Sequence, residues 1–228
     1  MREKRAIYLI QTRTRYHLAS TFLRFQEHYE SPRFRGKIFT LEEYMDWYAK
    51  KNENFTYYSD WGGFNIPSRV LTPFRAGKFD PLSKREQAFL RLFEDIPERA
   101  YIIGICNEVE VDDPALKHEF VHGLFHTVPG YRRAVRRMLR TLDVSSVHRA
   151  LAGFYGGYSP AVFDDETNAF VLTGFGALKV KIARTKFLRA RKHLACVFRE
   201  HFGYSIRGLS RKAMLAQIHR LRLPETSL

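Results

Sequence analysis

Cysteine is almost absent from the 228-residue chain. Its two cysteines, Cys106 and Cys196, lie 90 positions apart and belong to no C-x-x-C pair. This scarcity argues against a disulfide-stabilised secreted domain and against a cysteine-based metal site. The sequence therefore fits a reducing compartment.

Long apolar segments are also lacking. No stretch approaches the ~20 apolar residues that a membrane helix needs. The apolar run after the basic N-terminus is too short for a signal-peptide core, because Gln11 and Arg13 interrupt it. We therefore expect a cytoplasmic protein with no membrane partner.

Several signatures of other protein classes are missing. The sequence contains no glycosidase-like carboxylate pair, no phosphate-binding loop and no G-x-S-x-G nucleophile elbow. It also has no internal repeat and no long linker rich in Pro, Gly or Ser, and its length fits one domain. We expect a single domain over 1–228, with an aromatic and helical part at 1–100, a core at 101–175 and a basic helical part at 176–228.

Hydrophobic and aromatic residues are abundant, at 45% and 14% of the chain, which is enough to build a well-buried core. Short apolar runs predict strands at 6–10 and 101–105. Residues 52–81, around Trp61-Gly62-Gly63-Phe64, predict an irregular loop that builds a functional surface or contains short strands. Apolar periodicity and two capping boxes predict helices over 15–29, 41–51, 83–93, 114–128, 131–142, 160–173, 178–201 and 209–221. Together these elements predict an α+β fold that is mostly helical.

A metal motif lies at the centre of the chain, in His118-Glu119-Phe-Val-His122. Two histidines at i and i+4 project from one face of a helix, where they can hold one Zn²⁺. Glu119 lies beside the first histidine and can act as general base towards a metal-activated water. The alternative is a helix with surface histidines and no metal.

A catalytic zinc needs a third protein ligand and an open position. Glu166 is the first candidate, with Asp165 either as a competing ligand or as an acceptor that orients an imidazole, a role also open to Asp164. An acidic cluster here is otherwise common compensation of a helix dipole. His126 competes for the third position, but it lies about 12 Å from His118 along an unbroken helix. We therefore expect His126 to lie beside the ligands, in the cleft wall or next to an imidazole, or to be an ordinary surface histidine.

The strand, the H-E-x-x-H helix and the later segment Asp165-Glu166-Thr-Asn-Ala-Phe170 together resemble zincin-like metallopeptidases of the glutamate-zinc type. Within these, the chain is most similar to an uncharacterised bacterial group. The resemblance covers about 101–175, and the absence of a Gly-x-x-His after His122 disfavours the metzincins. It implies a zincin-like fold, one zinc ion per chain and hydrolysis of a peptide or protein substrate. His118, His122 and Glu166 match the ligands, and Glu119 matches the base.

Aromatic residues near these motifs are further candidates. Tyr155 and Tyr158 precede Glu166, and either can donate a hydrogen bond to an oxyanion, although packing is the more common role of such residues. Trp61 and Phe64 line a substrate groove or belong to the core. The sequence leaves both pairs open.

Positive charge is concentrated in the C-terminal part. Residues 131–228 hold 19 Lys+Arg and 6 Asp+Glu, a net +13, whereas 1–130 carries +1. This asymmetry supports a second interpretation, a basic protein with a catalytically inactive zincin-like fold that binds nucleic acid or an acidic partner. Arg189, Arg191 and Lys192 are its contact candidates. The other interpretation is a solvated basic helix, since no nucleic-acid-reading motif accompanies them.

Overall fold

A mixed sheet of four strands lies at the centre of the fold. The computed structural model describes residues 5–106, 114–154, 157–174 and 184–223. The strand order is β2-β3-β1-β4, with β1 parallel to both β3 and β4 and β2 antiparallel to β3. The strands are β1 (Ile7–Thr12), β2 (Gly63–Pro67), β3 (Tyr101–Cys106) and β4 (His219–Leu221).

Helices cover both faces of this sheet. Within the described ranges they are α1 (Arg15–Glu30), α2 (Leu41–Asn52), α3 (Tyr57–Asp60), α4 (Thr72–Arg75), α5 (Lys84–Leu92), α6 (Pro114–Thr127), α7 (Pro129–Leu139), α8 (Ser145–Gly153), α9 (Phe163–Thr173), α10 (Arg184–Phe202) and α11 (Arg211–Leu215). Two 3₁₀ turns, Ser68–Leu71 and Pro160–Val162, precede α4 and α9. The predicted fold class, α+β and mostly helical, is confirmed.

The two sheet faces bury different cores, as the alternation of side chains along a strand requires. Ile10 and Ile102 pack into the aromatic core around α1. Leu9 and Ile103 face the other core, beneath α6, α7, α9 and α10. The candidate metal helix α6 is thereby packed against the centre of the sheet.

Two glycines let the helices approach the sheet closely. A Cβ at Gly104 in β3 would lie 2.6 Å from Phe22 of α1. A Cβ at Gly123 in α6 would lie 2.8 Å from Ile7 of β1. Each glycine therefore removes the atom that would separate a helix from its strand.

The aromatic segment contains secondary structure, in agreement with one of its two predicted interpretations. Within 52–81, β2 forms the edge of the sheet beside β3, and α3 and α4 flank it. Pairing to β3 is a contact between residues far apart in sequence. Local periodicity therefore gave no exact strand bounds.

Two predicted helices are corrected. The prediction over 209–221 is wrong, because α11 covers only Arg211–Leu215 and His219–Leu221 form β4 on the edge of β1. Pro129 and Gly130 begin α7 instead of only ending α6, since proline suits the first turn of a helix. The helix predicted over 178–201 is described from Arg184 to Phe202, and 178–183 lie outside the described residues. Helix α8 was not predicted.

Candidate metal centre

Helices α6 and α9 bring three candidate ligands together. His118 and His122 lie one turn apart on α6, while Phe120 and Leu124 of the same helix are fully buried in the core. Glu166 lies in the first turn of α9, and only 2% of it is exposed. The candidate ligand atoms of the three residues lie within 4.8 Å of one another.

Their spacing matches the requirements of a zinc site. The two Nε2 atoms of His118 and His122 are 3.1 Å apart. Glu166 Oε2 lies 3.8 Å from His118 Nε2, and Glu166 Oε1 lies 3.6 Å from His122 Nε2. Ligands at 2.0–2.2 Å from a tetrahedral zinc ion are themselves about 3.4 Å apart. The residues present therefore fit the metal once their side chains close slightly around it.

Polar contacts at the far side of each imidazole direct both Nε2 atoms towards one point. His122 Nδ1 is 2.9 Å from Asp165 Oδ1. His118 Nδ1 is 3.2 Å from Thr173 Oγ1, whose own proton is donated to Ala169 O at 2.8 Å. Thr173 must then accept from His118 Nδ1, and Asp165 is the acceptor that faces His122 Nδ1. The two Nε2 atoms consequently face each other, an arrangement that needs a proton or a metal cation between them.

The electrostatics of the two histidines differ. Burial opposes charge on His122, but Asp165 and Glu166 outweigh it and raise its pKa to about 10. Burial and the neighbouring His122 lower the pKa of His118 to about 4. The pair as a whole thus favours one positive charge, which a proton or a metal ion can supply.

Asp165 joins two histidines behind this group. Its Oδ2 lies 2.7 Å from His126 Nε2, which is also 3.2 Å from the Tyr29 hydroxyl. The His126 ring stacks on Tyr101 at 4.3 Å. Burial acts against ionisation of Asp165, yet His122 and His126 hold its pKa below the usual range. His126 is therefore placed beside Asp165 and outside the three-residue group.

Asp164, the other residue considered for this role, lies elsewhere. Its carboxylate is 44% exposed and 3.4 Å from Arg136 Nε. It makes a surface ion pair with α7, and the imidazole acceptor in the described structure is Asp165.

Glu119 is buried on the same helix, next to His118. Burial raises its pKa, while His118 and His122 lower it, as does a hydrogen bond from Asn65. Its side chain lies directly against β2, where a Cβ at Gly63 would overlap Glu119 Oε1. The glycine in the Trp-Gly-Gly-Phe segment thus makes room for the candidate base.

A cavity of about 610 Å³ opens in front of these residues. Its walls include His118, Glu119 and Glu166, with the aromatic side chains Trp61, Phe64, Phe154, Tyr158 and Phe170. The Tyr158 hydroxyl makes no hydrogen bond to the described residues, which leaves it available to a ligand. Phe64 is only 1% exposed, so it belongs to both the core and the cavity wall. Tyr155 lies outside the described residues.

Three site residues escaped the sequence analysis. Thr173 lies seven positions after Glu166 on α9, a spacing that places both on one helix face and was available as a signal. Glu30 and Gly63 reach the cavity from α1 and β2. No local pattern connects either residue to the H-E-x-x-H motif.

The basic residues lie on two packed helices. Arg189 and Lys192 are exposed on α10, whereas Arg191 donates to Leu172 O at 3.2 Å and lies over Phe187. Helix α7 buries Tyr131 and presents three exposed arginines, and a fourth follows at its C-cap, so that the four lie at i, i+3, i+4 and i+7. These are Arg133, Arg136, Arg137 and Arg140.

Comparison of the chain with models of protein families, with curated proteins and with solved structures gives no significant match. Across the described ranges, no helix combines the length and the apolar character needed to span a membrane.

Proposed function

We propose that this chain is a zinc-dependent peptidase or amide hydrolase that binds one Zn²⁺ through His118, His122 and Glu166. The observation that supports this most strongly is the convergence of two imidazole Nε2 atoms, 3.1 Å apart, beside a buried carboxylate. Glu166 Oε2 has no hydrogen-bond partner among the described residues, as expected of an atom kept for a metal. The resemblance of the motifs to zincins supports the same function.

Zinc, when bound at such a site, acidifies water and polarises a carbonyl oxygen. Glu119 takes the proton from the attacking water, and its burial raises its affinity for that proton. Tyr158 faces the same cavity and donates a hydrogen bond to the oxygen that becomes negative. Asp165 and Thr173 keep the two imidazoles in the required tautomer.

The cavity indicates the class of substrate. Its aromatic walls exclude water from the reacting bond, and about 610 Å³ accommodates a few amino-acid residues. A short peptide segment therefore suits it.

Replacing Glu119 separates chemistry from metal binding. Glu119→Gln should keep its zinc but lose about 10²–10⁴-fold in kcat on a peptide library, because the amide cannot accept a proton. The measurement is product formation by mass spectrometry, with zinc content determined on the same sample. Glu200→Gln, on the exposed face of α10, is the matched control and should retain activity. Hydrolysis that persists unchanged in Glu119→Gln would assign the activity to another cause.

A second candidate function is binding to nucleic acid through the arginine face of α7. Arg136 pairs with Asp164, but Arg133, Arg137 and Arg140 have no acidic partner among the described residues. Guanidinium groups on one exposed face can neutralise several phosphates and release their counterions. This face adds to the exposed Arg189 and Lys192 of α10.

Charge reversal tests this second function. Arg133→Glu with Arg137→Glu should weaken binding to DNA and RNA about uniformly across sequences, and should reduce its salt dependence. Fluorescence anisotropy at two salt concentrations measures both effects. Binding only to acidic polypeptides would point to a protein partner, and binding to neither would leave the face as solvated surface. The double variant should hydrolyse peptides normally.

A further inference from the structure

A further carboxyl group, that of Glu30, lines the cavity that Glu119, Glu166 and Asp60 also line. Glu30 is the last residue of α1 and is only 7% exposed. Its Oε2 is buried without a hydrogen-bond partner among the described residues. A carboxyl group that lines a cavity and has an oxygen without a partner is a candidate acceptor for a ligand donor.

The position of Glu30 is unfavourable for a carboxylate in the protein alone. It lies at the C-terminal end of α1, where the helix dipole repels negative charge. Glu27, one turn earlier, and Glu166 add further repulsion. Burial is the largest effect, and it raises the pKa of Glu30 well above its usual range, although a hydrogen bond from Gln26 and the charge of His122 act in the opposite direction. A positively charged ligand beside Glu30 would offset these costs.

The remaining walls suit the same ligand. Trp61, Phe154 and Tyr158 present aromatic rings, which attract cations. Arg15 is the single Lys or Arg among the lining residues, and its Nη1 is engaged with Ser59 O at 3.1 Å. The cavity thus offers aromatic faces and a surplus of buried carboxyl groups.

We propose that Glu30 binds an alkylammonium group of the substrate beside the candidate metal centre. This proposal rests on the hydrolase function and specifies its substrate class, a peptide with a free amine near the scissile bond. Two sources carry this chemistry, the peptide N-terminus and a lysine side chain. One buried carboxylate can serve either, so the experiment must separate them.

Calorimetric titration of zinc-loaded Glu119→Gln protein with uncleaved peptides provides a readout independent of turnover. The probes are a C-terminally amidated Ala-Phe-Lys peptide, its N-acetylated form and its norleucine form in place of lysine. We expect loss of the recognised amine to weaken binding by about 10-fold or more, as for a buried charge-assisted hydrogen bond. Adding Glu30→Gln should remove this discrimination.

Glu27→Gln is the matched control for the Glu30 variant. Glu27 is also buried on α1, but it accepts from the Tyr57 hydroxyl at 2.7 Å and does not line the cavity. It should leave the discrimination intact. Thermal unfolding and zinc content verify each variant, and Glu30→Met replaces Glu30→Gln if the latter does not fold.

The outcomes separate this proposal from the hydrolase function. Equal affinity for all three peptides, no binding of any, or discrimination that survives in Glu30→Gln would overturn the amine site. Wild-type protein is assayed for hydrolysis of the same peptides. Amine-dependent binding without hydrolysis would refute the hydrolase function and support the amine site. Hydrolysis without amine discrimination would support the hydrolase function and refute the amine site.

Discussion

Two buried glutamates near helix N-termini, Glu86 and Glu166, are treated by the fold in opposite ways. Glu86 is only 4% exposed, and both its oxygens accept from Arg24, at 2.7 Å each. Its Oε2 also accepts from Ser83 N at 2.8 Å. Glu166 is similarly buried, yet its Oε2 has no hydrogen-bond partner in the described structure. The first charge is satisfied within the fold, and the second is available for a cation from outside.

This difference distinguishes a carboxylate that is paired within the fold from one that remains available to a ligand. Arg24 also donates to Phe79 O at 2.9 Å and Pro81 O at 3.2 Å, so it joins α1, α5 and the segment before α5. Glu166 instead faces two histidines and a cavity. A burial value alone would not separate the two residues.

The largest expected effect concerns Glu86, the carboxylate that is paired within the fold. Arg24→Met should lower the free energy of unfolding by about 3–5 kcal/mol, because it leaves the charge of Glu86 buried and unpaired. Urea denaturation measures the change. Glu166→Gln in metal-free protein is the counterpart and should leave stability unchanged or raise it. Equal destabilisation by both substitutions would remove the distinction drawn between them.

Gly63→Ala tests the position of Glu119, the candidate base. The added Cβ overlaps Glu119 Oε1, so the carboxylate must shift, and hydrolysis should fall by about 10²-fold while zinc remains bound. Gly62→Ala is the matched control, since a Cβ there meets no atom within 4 Å. Kinetics with metal analysis decide the result. Similar activity of the two variants would mean that Glu119 has no fixed working position.

Asp165→Asn should have a smaller effect, through His122. Asn presents an amide in place of the charged acceptor at His122 Nδ1, and zinc affinity should weaken about 10–100-fold. Asp164→Asn removes a neighbouring carboxylate that pairs with Arg136 on the surface and should leave affinity unchanged. Competition with a chromogenic chelator gives both constants. A loss shared by both variants would indicate a general effect of charge.

Features coded by local spacing could be predicted, and those that depend on distant pairing could not. His118 and His122 are one helical turn apart, so their shared face follows from sequence alone. Helix α9 has its own acidic motif, which identified Glu166 and Asp165 as candidates. Edge strand β4 pairs with β1, which lies near the other end of the chain, and no local pattern within 209–221 predicts this pairing. Glu30 and Gly63 likewise enter the site only through packing of α1 and β2.

The central claim, that His118, His122 and Glu166 hold one zinc ion, is tested most directly by anomalous diffraction at the zinc edge from crystals of the full chain. We expect one strong peak per chain, about 2.0–2.2 Å from both Nε2 atoms and from a Glu166 oxygen. In crystals of His118→Ala the peak should be lost. Wild-type crystals grown with zinc that show no peak, or a peak bound by His126 or a cysteine, would contradict the account.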